Sequence, residues 1–525
     1  MTNSQRNRPG HIARNSVLNL LGRILPSLVA LVTLPMIVHG LGKEGFGILS
    51  VAWLVLGYSN IFDLGLGRAT TKFVAEFLRP EKNHLLPGLV WTSVALQLVQ
   101  GLVGAVLIAA SVPYVVTHLF KMPPAFVGET KTTLFILCAA LPILLVGNAI
   151  RGILEAAQRF DLSNLVSVPA SVAFYLLAPA AVALHIRVAG IVLLQVLLRL
   201  AAAAAYLVLS LRELPILRTH FSLSKAALKP LASYGGWVTV SAIAGPTFGE
   251  LERFMIASVI SVGALTYYSA PYELVTKLVI FPAAVCSALF PFFSYHGSKN
   301  GAIVSDLTSR TMKFLLLLMT PVTAIFVFFA NDILRLWLGA DFATQSTVVL
   351  QVLALSFFFN VFAQIPYTSV QALGRPDLKA MLDLVALPTY AIVAWWLLRR
   401  TGINGAAFAK LFITIIDTVA LFIFARKLKA FSVREWSSGP LLRTLAISVG
   451  LTLALFTVKL LGVTLPVKCF LVAVYCLIYA VAFWFVAVDV SERKVFIALP
   501  RRLFAATPKG VEPDTLVAAA VEIEQ

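Results

Sequence analysis

Hydrophobic and polar positions alternate on a long scale along this chain. From Ser16 to Val488, apolar runs of about twenty residues are separated by short polar or Gly/Pro-rich breaks. A helix of that length spans the ~30 Å hydrocarbon core of a bilayer. Marking the runs predicts fourteen helices, the first six at about 16–39, 46–66, 88–112, 132–154, 164–184 and 188–211. The next six fall at about 233–258, 267–292, 308–330, 346–372, 381–398 and 404–425, and the last two at 441–462 and 467–488. The pattern is that of an all-α polytopic membrane protein.

Composition removes the alternatives. The 525 residues are 59% hydrophobic and 13% charged, with a mean hydropathy of +0.90, whereas soluble domains are roughly a quarter charged. The first apolar run is too long for the core of a cleaved signal and lacks a small-x-small site after it, so it reads as a retained helix. Cys138, Cys286, Cys469 and Cys476 all lie in apolar segments without metal spacing and read as inert small hydrophobes. No long extramembrane segment and no phosphate-binding G-x-x-x-x-G-K-[ST] loop is present, so catalysis by a soluble nucleotide-binding domain is excluded.

The formal charge of +18 has a topological origin. With the N-terminus cytoplasmic, the inside segments carry twenty-eight Lys/Arg and the outside segments nine. The positive-inside rule then places both termini in the cytoplasm and leaves no basis for a nucleic-acid partner.

An internal similarity organises the helices. QRFDLSNLV (Gln158–Val166) follows the fourth span and GRPDLKAML (Gly374–Leu382) the tenth, with Arg159, Asp161 and Leu162 matching Arg375, Asp377 and Leu378, 216 positions on. A similar offset of 220 sets Pro26 over Pro246 and Leu54-Val55 over Leu274-Val275. These matches predict a segment 1–15, six-helix lobes at 16–232 and 233–426, two further helices over 427–488, and a tail 489–525. Because six is even, the lobes would be related by a pseudo-two-fold axis along the membrane normal.

The candidate chemistry lies in charges inside the spans. The cations Arg23, Arg199, Arg253, Lys277 and Lys410 and the acids Asp63, Glu250, Glu252, Glu273 and Asp417 fall within them or at their ends. Each charge costs roughly 2.5–3.5 kcal/mol at a helix centre, which demands pairing or a watery cavity. The turn near Val262–Gly263 sets Arg253 level with Tyr272–Glu273, and Glu250 level with Val275, one turn from Lys277. Glu250–Arg253 (i, i+3) and Glu273–Lys277 (i, i+4) share helix faces. The same construction sets Arg23 level with Asp63, and Lys410 lies two turns from Asp417 on one face. Two readings stand: pairs that stitch the bundle, or the lining of a cavity. Glu252 is expected near the outer surface or on another face. Pro26 and Pro246, at matching repeat positions, are hinge candidates.

The segment from Asn15 through Pro35, the glycine-rich turn of Gly40, Gly42, Gly45 and Gly47, the run Asp63-Leu-Gly-Leu-Gly-Arg68, and Ala372–Leu378 resemble Wzx-type polysaccharide flippases. The resemblance extends from about Arg14 to Val488. It implies membership of the multidrug/oligosaccharidyl-lipid/polysaccharide exporter superfamily, a V of two six-helix lobes, and no enzymatic activity. It also implies movement of undecaprenyl-diphosphate-linked oligosaccharide across the bacterial cytoplasmic (inner) membrane, without a cofactor and driven by a proton or sodium gradient. Partners would be the lipid-linked oligosaccharide, membrane lipids and polysaccharide polymerase or assembly proteins. A diphosphate head group needs buried cations, a role that falls to Arg23, Arg253, Lys277 and Lys410. The acids Glu250, Glu273, Asp63 and Asp417 would pair with them or carry the coupling ion. A lipid II-type flippase and a cation-coupled drug antiporter of the same superfamily remain alternatives, and a membrane glycosyltransferase or polymerase a more distant one.

Overall fold

The computed structural model describes residues 9–79, 81–219, 221–228, 231, 249–280, 282, 283, 285, 286, 289, 293, 301–428, 439–488 and 493, with the backbone alone for 9–21, 23, 57–61, 219, 301–303, 376, 439 and 440. Among these residues the chain is helical, with no strand. A membrane span must satisfy its own backbone hydrogen bonds, and a helix does so within one segment.

The helices are α1 (Pro9–Phe62), α2 (Leu66–Phe77), α3 (Leu86–Tyr114), α4 (Pro124–Ala156), α5 (Phe160–Ala183) and α6 (Val188–Glu213). They continue with α7 (249–259), α8 (Val262–Thr276), α9 (Gly301–Phe328), α10 (Ala330–Trp337) and α11 (Ala340–Ala372). The chain then forms α12 (Pro376–Thr401), α13 (Ile403–Lys427), α14 (Gly439–Leu460) and α15 (Leu465–Val486).

Eleven helices among the described residues are long and apolar enough to cross a membrane, against fourteen runs in the sequence. The difference sits in two places. The first two runs are the two arms of α1, which breaks at Gly42, where φ is 69° and ψ 179°, a conformation that suits glycine because no Cβ clashes there. The seventh and eighth runs lie partly outside the described residues, and α7 and α8 are their described portions. Two helices escaped the hydrophobic pattern because they are amphipathic and short: α2 and α10 each bury one face and carry polar residues on the other.

The bundle is apolar inside and out. Its core gathers Ile37, Phe46 and Leu49 of α1, Leu265 and Tyr268 of α8, and Val349, Leu350 and Leu353 of α11. Val32, Val106, Val385, Ile392 and Leu477 are exposed on the outer faces, as expected where lipid replaces water as solvent.

The repeated loop has a repeated structure. Gln158 (φ 56°) and Gly374 (φ 78°) both adopt a left-handed conformation at the end of a helix. The N–H of Arg159 donates to Leu154 O at 2.9 Å and that of Arg375 to Val370 O at 3.1 Å, five residues back in each case. Each arginine then forks onto the aspartate two residues on: Arg159 donates from Nε and Nη2 to Asp161 at 3.0 Å each, and Arg375 donates to Asp377 at 3.0 and 2.9 Å. The helices around the loops repeat as well. Pro124 and Ala340, which open α4 and α11, and Phe160 and Pro376, which open α5 and α12, are each 216 positions apart. In both sets the first helix packs along the third, α4 on α6 and α11 on α13.

Arg159 also binds Glu213 at the end of α6, a contact that ties the loop to a neighbouring helix. Arg159→Ala is therefore expected to destabilise the protein by about 1 kcal/mol, the upper range for a partly exposed pair. Arg375→Ala should lower the melting temperature less, and a thermal melt of both purified variants checks the order.

Candidate intramembrane binding site

The candidate site begins at the hairpin of α7 and α8. Ser261 starts α8 with its hydroxyl accepting the Ala264 N–H at 2.9 Å, and this fixes the register of the two helices. Tyr272 O–H donates to Gly249 O at 2.9 Å, and Arg253 Nε donates to Ser269 Oγ at 3.3 Å.

That register assembles a line of charges in the apolar bundle. Arg253 Nη1 lies 2.8 Å from Glu250 and 3.9 Å from Glu273, and Lys277 lies 3.0 Å from Glu273. Lys277 Nζ continues the line to Tyr175 of α5, 3.5 Å from its hydroxyl. The guanidinium of Arg253 stands 5.3 Å from the centre of the Tyr272 ring, a cation–π contact that helps hold a charge out of water. Arg253 is buried, and its Nη2 has no hydrogen-bond partner among the described residues. Glu250, Glu273 and Lys277 keep 17–20% of their side-chain surface accessible.

A second cluster forms around Glu252. It is 0% exposed, so it does not lie at the outer surface. The two-residue step from Glu250 turns it about 200° around the helix, toward α12 and α13. There it lies 3.2 Å from Lys410 of α13 and accepts from Tyr390 of α12 at 2.6 Å and Tyr268 of α8 at 3.3 Å. Lys410 thus pairs with Glu252. Asp417 pairs instead with Lys379 at 2.5 Å, and Lys379 also holds Asp383 at 2.7 Å.

These groups border a cavity of about 340 Å³, lined by Gly249, Tyr272, Lys379, Asp383, Lys410 and Asp417 among others. Of the residues singled out from sequence, Lys410 and Asp417 face this space, and Glu250, Arg253, Glu273 and Lys277 form the line beside it. Asp63 accepts the Gly67 N–H with both carboxylate oxygens at 3.1 Å, which caps the start of α2. The Arg23 side chain and Pro246 lie outside the described residues, while Pro26 lies within α1.

Tyr175, Tyr390, Lys379 and Asp383 were missing from the sequence reading, and Tyr272 entered it only as the level of Arg253. The i, i+4 spacing of Lys379 and Asp383 was a usable signal. The tyrosines gave none, since the same residue is common in any apolar helix.

A second cavity, of about 260 Å³, lies among α4, α5 and α6 and includes Arg151, Tyr175 and Arg199 in its lining. The two cavities occupy equivalent positions in the repeat. Leu144, Arg151, Ser167, Ala170 and Leu198 line one, and Asn360, Tyr367, Asp383, Ala386 and Thr414, each 216 positions later, line the other.

One end of the bundle is sealed by bonds between α1–α6 and the later helices. The N–H of Lys121 donates to Ala257 O at 3.2 Å and its carbonyl accepts from Val262 N–H at 2.9 Å. Lys121 Nζ donates to Val259 O at 2.7 Å, Thr266 Oγ1 to Lys43 O at 2.6 Å, and Trp337 Nε1 to Leu31 O at 2.9 Å.

Comparisons with known proteins agree with this architecture. The chain is 29% identical over 419 residues to a Shigella flexneri protein named "Putative O-antigen transporter", covering 78% of this chain and 96% of the relative. Its fold matches the lipid II flippase MurJ in an inward closed conformation with a TM-score of 0.72 at 13% identity, over 90% of this chain and 99% of that one. It also matches an inward-facing multidrug resistance MATE family transporter of the MOP superfamily, with a TM-score of 0.67 at 14% identity, over 80% of this chain and all of that one. These proteins are transporters and flippases rather than enzymes. Residues 12–296 match the family described as "Polysaccharide biosynthesis protein", and with more than half of its length inside that match, this multi-pass membrane protein belongs to that family.

Proposed function

We propose that the protein is a flippase that carries a lipid-linked oligosaccharide of the polysaccharide or O-antigen type across the bacterial cytoplasmic membrane by alternating access. Both termini then face the cytoplasm, and polysaccharide polymerase or assembly proteins receive the delivered unit. The lobes 16–232 and 233–426 rock against each other, with Pro26 and Pro246 among the hinges.

The observation that carries the reading is the charge line from Glu250 through Arg253 and Glu273 to Lys277. Isolated charges there would cost several kcal/mol each, and alternating signs offset that cost at rest. Among the described residues Arg253 Nη2 is a buried donor without a partner, a deficit of about 1–3 kcal/mol that an arriving acceptor relieves. A diphosphate oxygen is such an acceptor, and guanidinium suits it. Lys277, Lys410 and Arg23 supply the remaining positive charge.

When the anion takes the cations, Glu250 and Glu273 lose their partners and bind a proton or sodium ion instead, with Asp417 and Asp63 as further carboxylates. Competition between anion and coupling ion for the same cations then shifts the population of the two access states. With the end at Lys43, Lys121 and Val262 placed outside by the basic-residue bias, this state is sealed outward and receives substrate from the cytoplasmic leaflet.

The test is translocation of a polyprenyl-diphosphate oligosaccharide in proteoliposomes, with and without a proton or sodium gradient. Gradient-dependent exposure on the far face is expected, with a loss of about tenfold or more in Arg253→Ala, the rate equivalent of ~1.4 kcal/mol. Full transport by both Arg253→Ala and Glu273→Gln would overturn the site, and efflux of a cationic dye without lipid movement would overturn the substrate class.

A further inference from the structure

We propose that the cavity among α4, α5 and α6 is a second oxyanion site, with Arg199 as its charged contact. It deepens the flippase reading and rests on it for the identity of the natural ligand, a second anionic group on the same substrate. The binding itself stands on the geometry of this cavity.

Arg199 lies near the middle of α6, eleven residues from Val188 and fourteen from Glu213. At 1.5 Å per residue the nearer helix end is about 16 Å away. That is beyond the reach of a snorkelling arginine, whose stem spans only a few bonds. Nor does the side chain turn to lipid. Gln195, Ala202 and Tyr206, at i−4, i+3 and i+7, share its face and are buried or half-buried, yet Arg199 is exposed. The space it meets is the cavity it lines.

The rest of the lining selects for negative charge. No aspartate or glutamate is among its described lining residues, while Arg151, Asn148, Ser167, Ser171 and Tyr175 offer N–H or O–H donors. Glu155 neutralises Arg151 at 2.8 Å. Among the described residues, no carboxylate pairs with Arg199, whose guanidinium rests 5.0 Å from the Phe174 ring centre. A cation–π contact leaves its N–H donors free to take a planar or tetrahedral oxyanion.

The repeat sharpens the contrast. Asp383 holds the position of Ser167 in the equivalent cavity, where Lys379 is bound by two aspartates. Among the described residues, Lys379 in one cavity is neutralised by carboxylates and Arg199 in the other is not. Tyr175, shared between this cavity and Lys277, sets the site beside the charge line. The ligand chemistry is an oxyanion, either the carboxylate of an acidic sugar or a phosphate.

Purified full-length protein in detergent is titrated with methyl glucuronide and, separately, inorganic phosphate, following tryptophan fluorescence. Trp53 reports on the cavity, since its ring centroid is 6.3 Å from that of Phe174 and 6.4 Å from that of Tyr175, and Trp53→Phe identifies its share of the signal. Saturable binding is expected, weakened about tenfold or more in Arg199→Gln and partly restored in Arg199→Lys, with the melting temperature followed for both. Preference for the glucuronide assigns the sugar carboxylate, and preference for phosphate assigns a phosphate group. Equal binding by wild type and Arg199→Gln, or no binding of either anion, would overturn the proposal. Arg199-dependent binding in a protein that moves no polyprenyl-linked oligosaccharide would leave the site standing and remove the flippase reading.

Discussion

Glu252→Ala is expected to destabilise the folded protein by about 3–5 kcal/mol, the range for removing one partner of a buried ion pair. Glu252 is fully buried and pairs with Lys410 at 3.2 Å. It also accepts the hydroxyls of Tyr390 and Tyr268, so one side chain joins α7 to α8, α12 and α13. Alanine removes that carboxylate from the ammonium and one acceptor from each of two buried hydroxyls, at about 1–3 kcal/mol where a buried donor is left unsatisfied. Glu252→Gln keeps an acceptor of the same shape and should recover part of the loss. Thermal melts of the three proteins in one detergent measure this directly. An alanine variant that melts with the wild type would show that the cluster contributes nothing to the fold.

The second large effect is at Gly47. A Cβ built there would stand 2.2 Å from the carbonyl oxygen of Val262 and 2.9 Å from its carbonyl carbon. Both obstacles are backbone, and Val262 is itself held by Lys121, so α1 and α8 must move apart to admit a side chain. Gly47→Val should cost the sealed state about 1–3 kcal/mol, the usual penalty for overpacking. If alternating access parts α1 from α8 in an open state, that state bears no such contact and the balance between the two shifts by about 5–150-fold. Transport needs both states, and its rate is expected to fall accordingly. A cysteine placed at Lys43 should become more reactive toward a membrane-impermeant maleimide in the Gly47→Val background. Unchanged labelling would mean that this contact does not govern closure.

Much of the candidate site was written in local spacing. Glu250–Arg253 and Glu273–Lys277 are pairs within single helices, and 3.6 residues per turn suffices to bring their side chains together. The α7–α8 hairpin extended that reach, because a tight turn sets two helices level and makes Arg253 meet Glu273. Lys410 shows where such reasoning ends. Its seven-residue separation from Asp417 pointed to a shared face, and both do line one cavity. Yet each found a nearer partner on another helix, Glu252 for Lys410 and Lys379 for Asp417. Asp63 has a further contact of its own: two left-handed residues, Leu64 and Gly65, turn the chain beneath it, and its carboxylate caps the following helix. Sequence spacing cannot show that turn.

By itself the sequence determined that this protein is a bundle of membrane helices with an internal repeat and charges inside the bilayer. Each of these is a property of a short segment, or of two segments compared, because desolvation of an apolar run and the pitch of a helix are local physics. Tertiary structure alone decided which charges meet and where space remains between them. Glu252 and Tyr390 are 138 residues apart, and their contact depends on how two helices rotate about their own axes. That rotation is set by all the packing along both helices together, so no single spacing records it. The contrast between the two equivalent cavities has the same origin, since a charge is neutralised or left open by what the neighbouring helices bring to it.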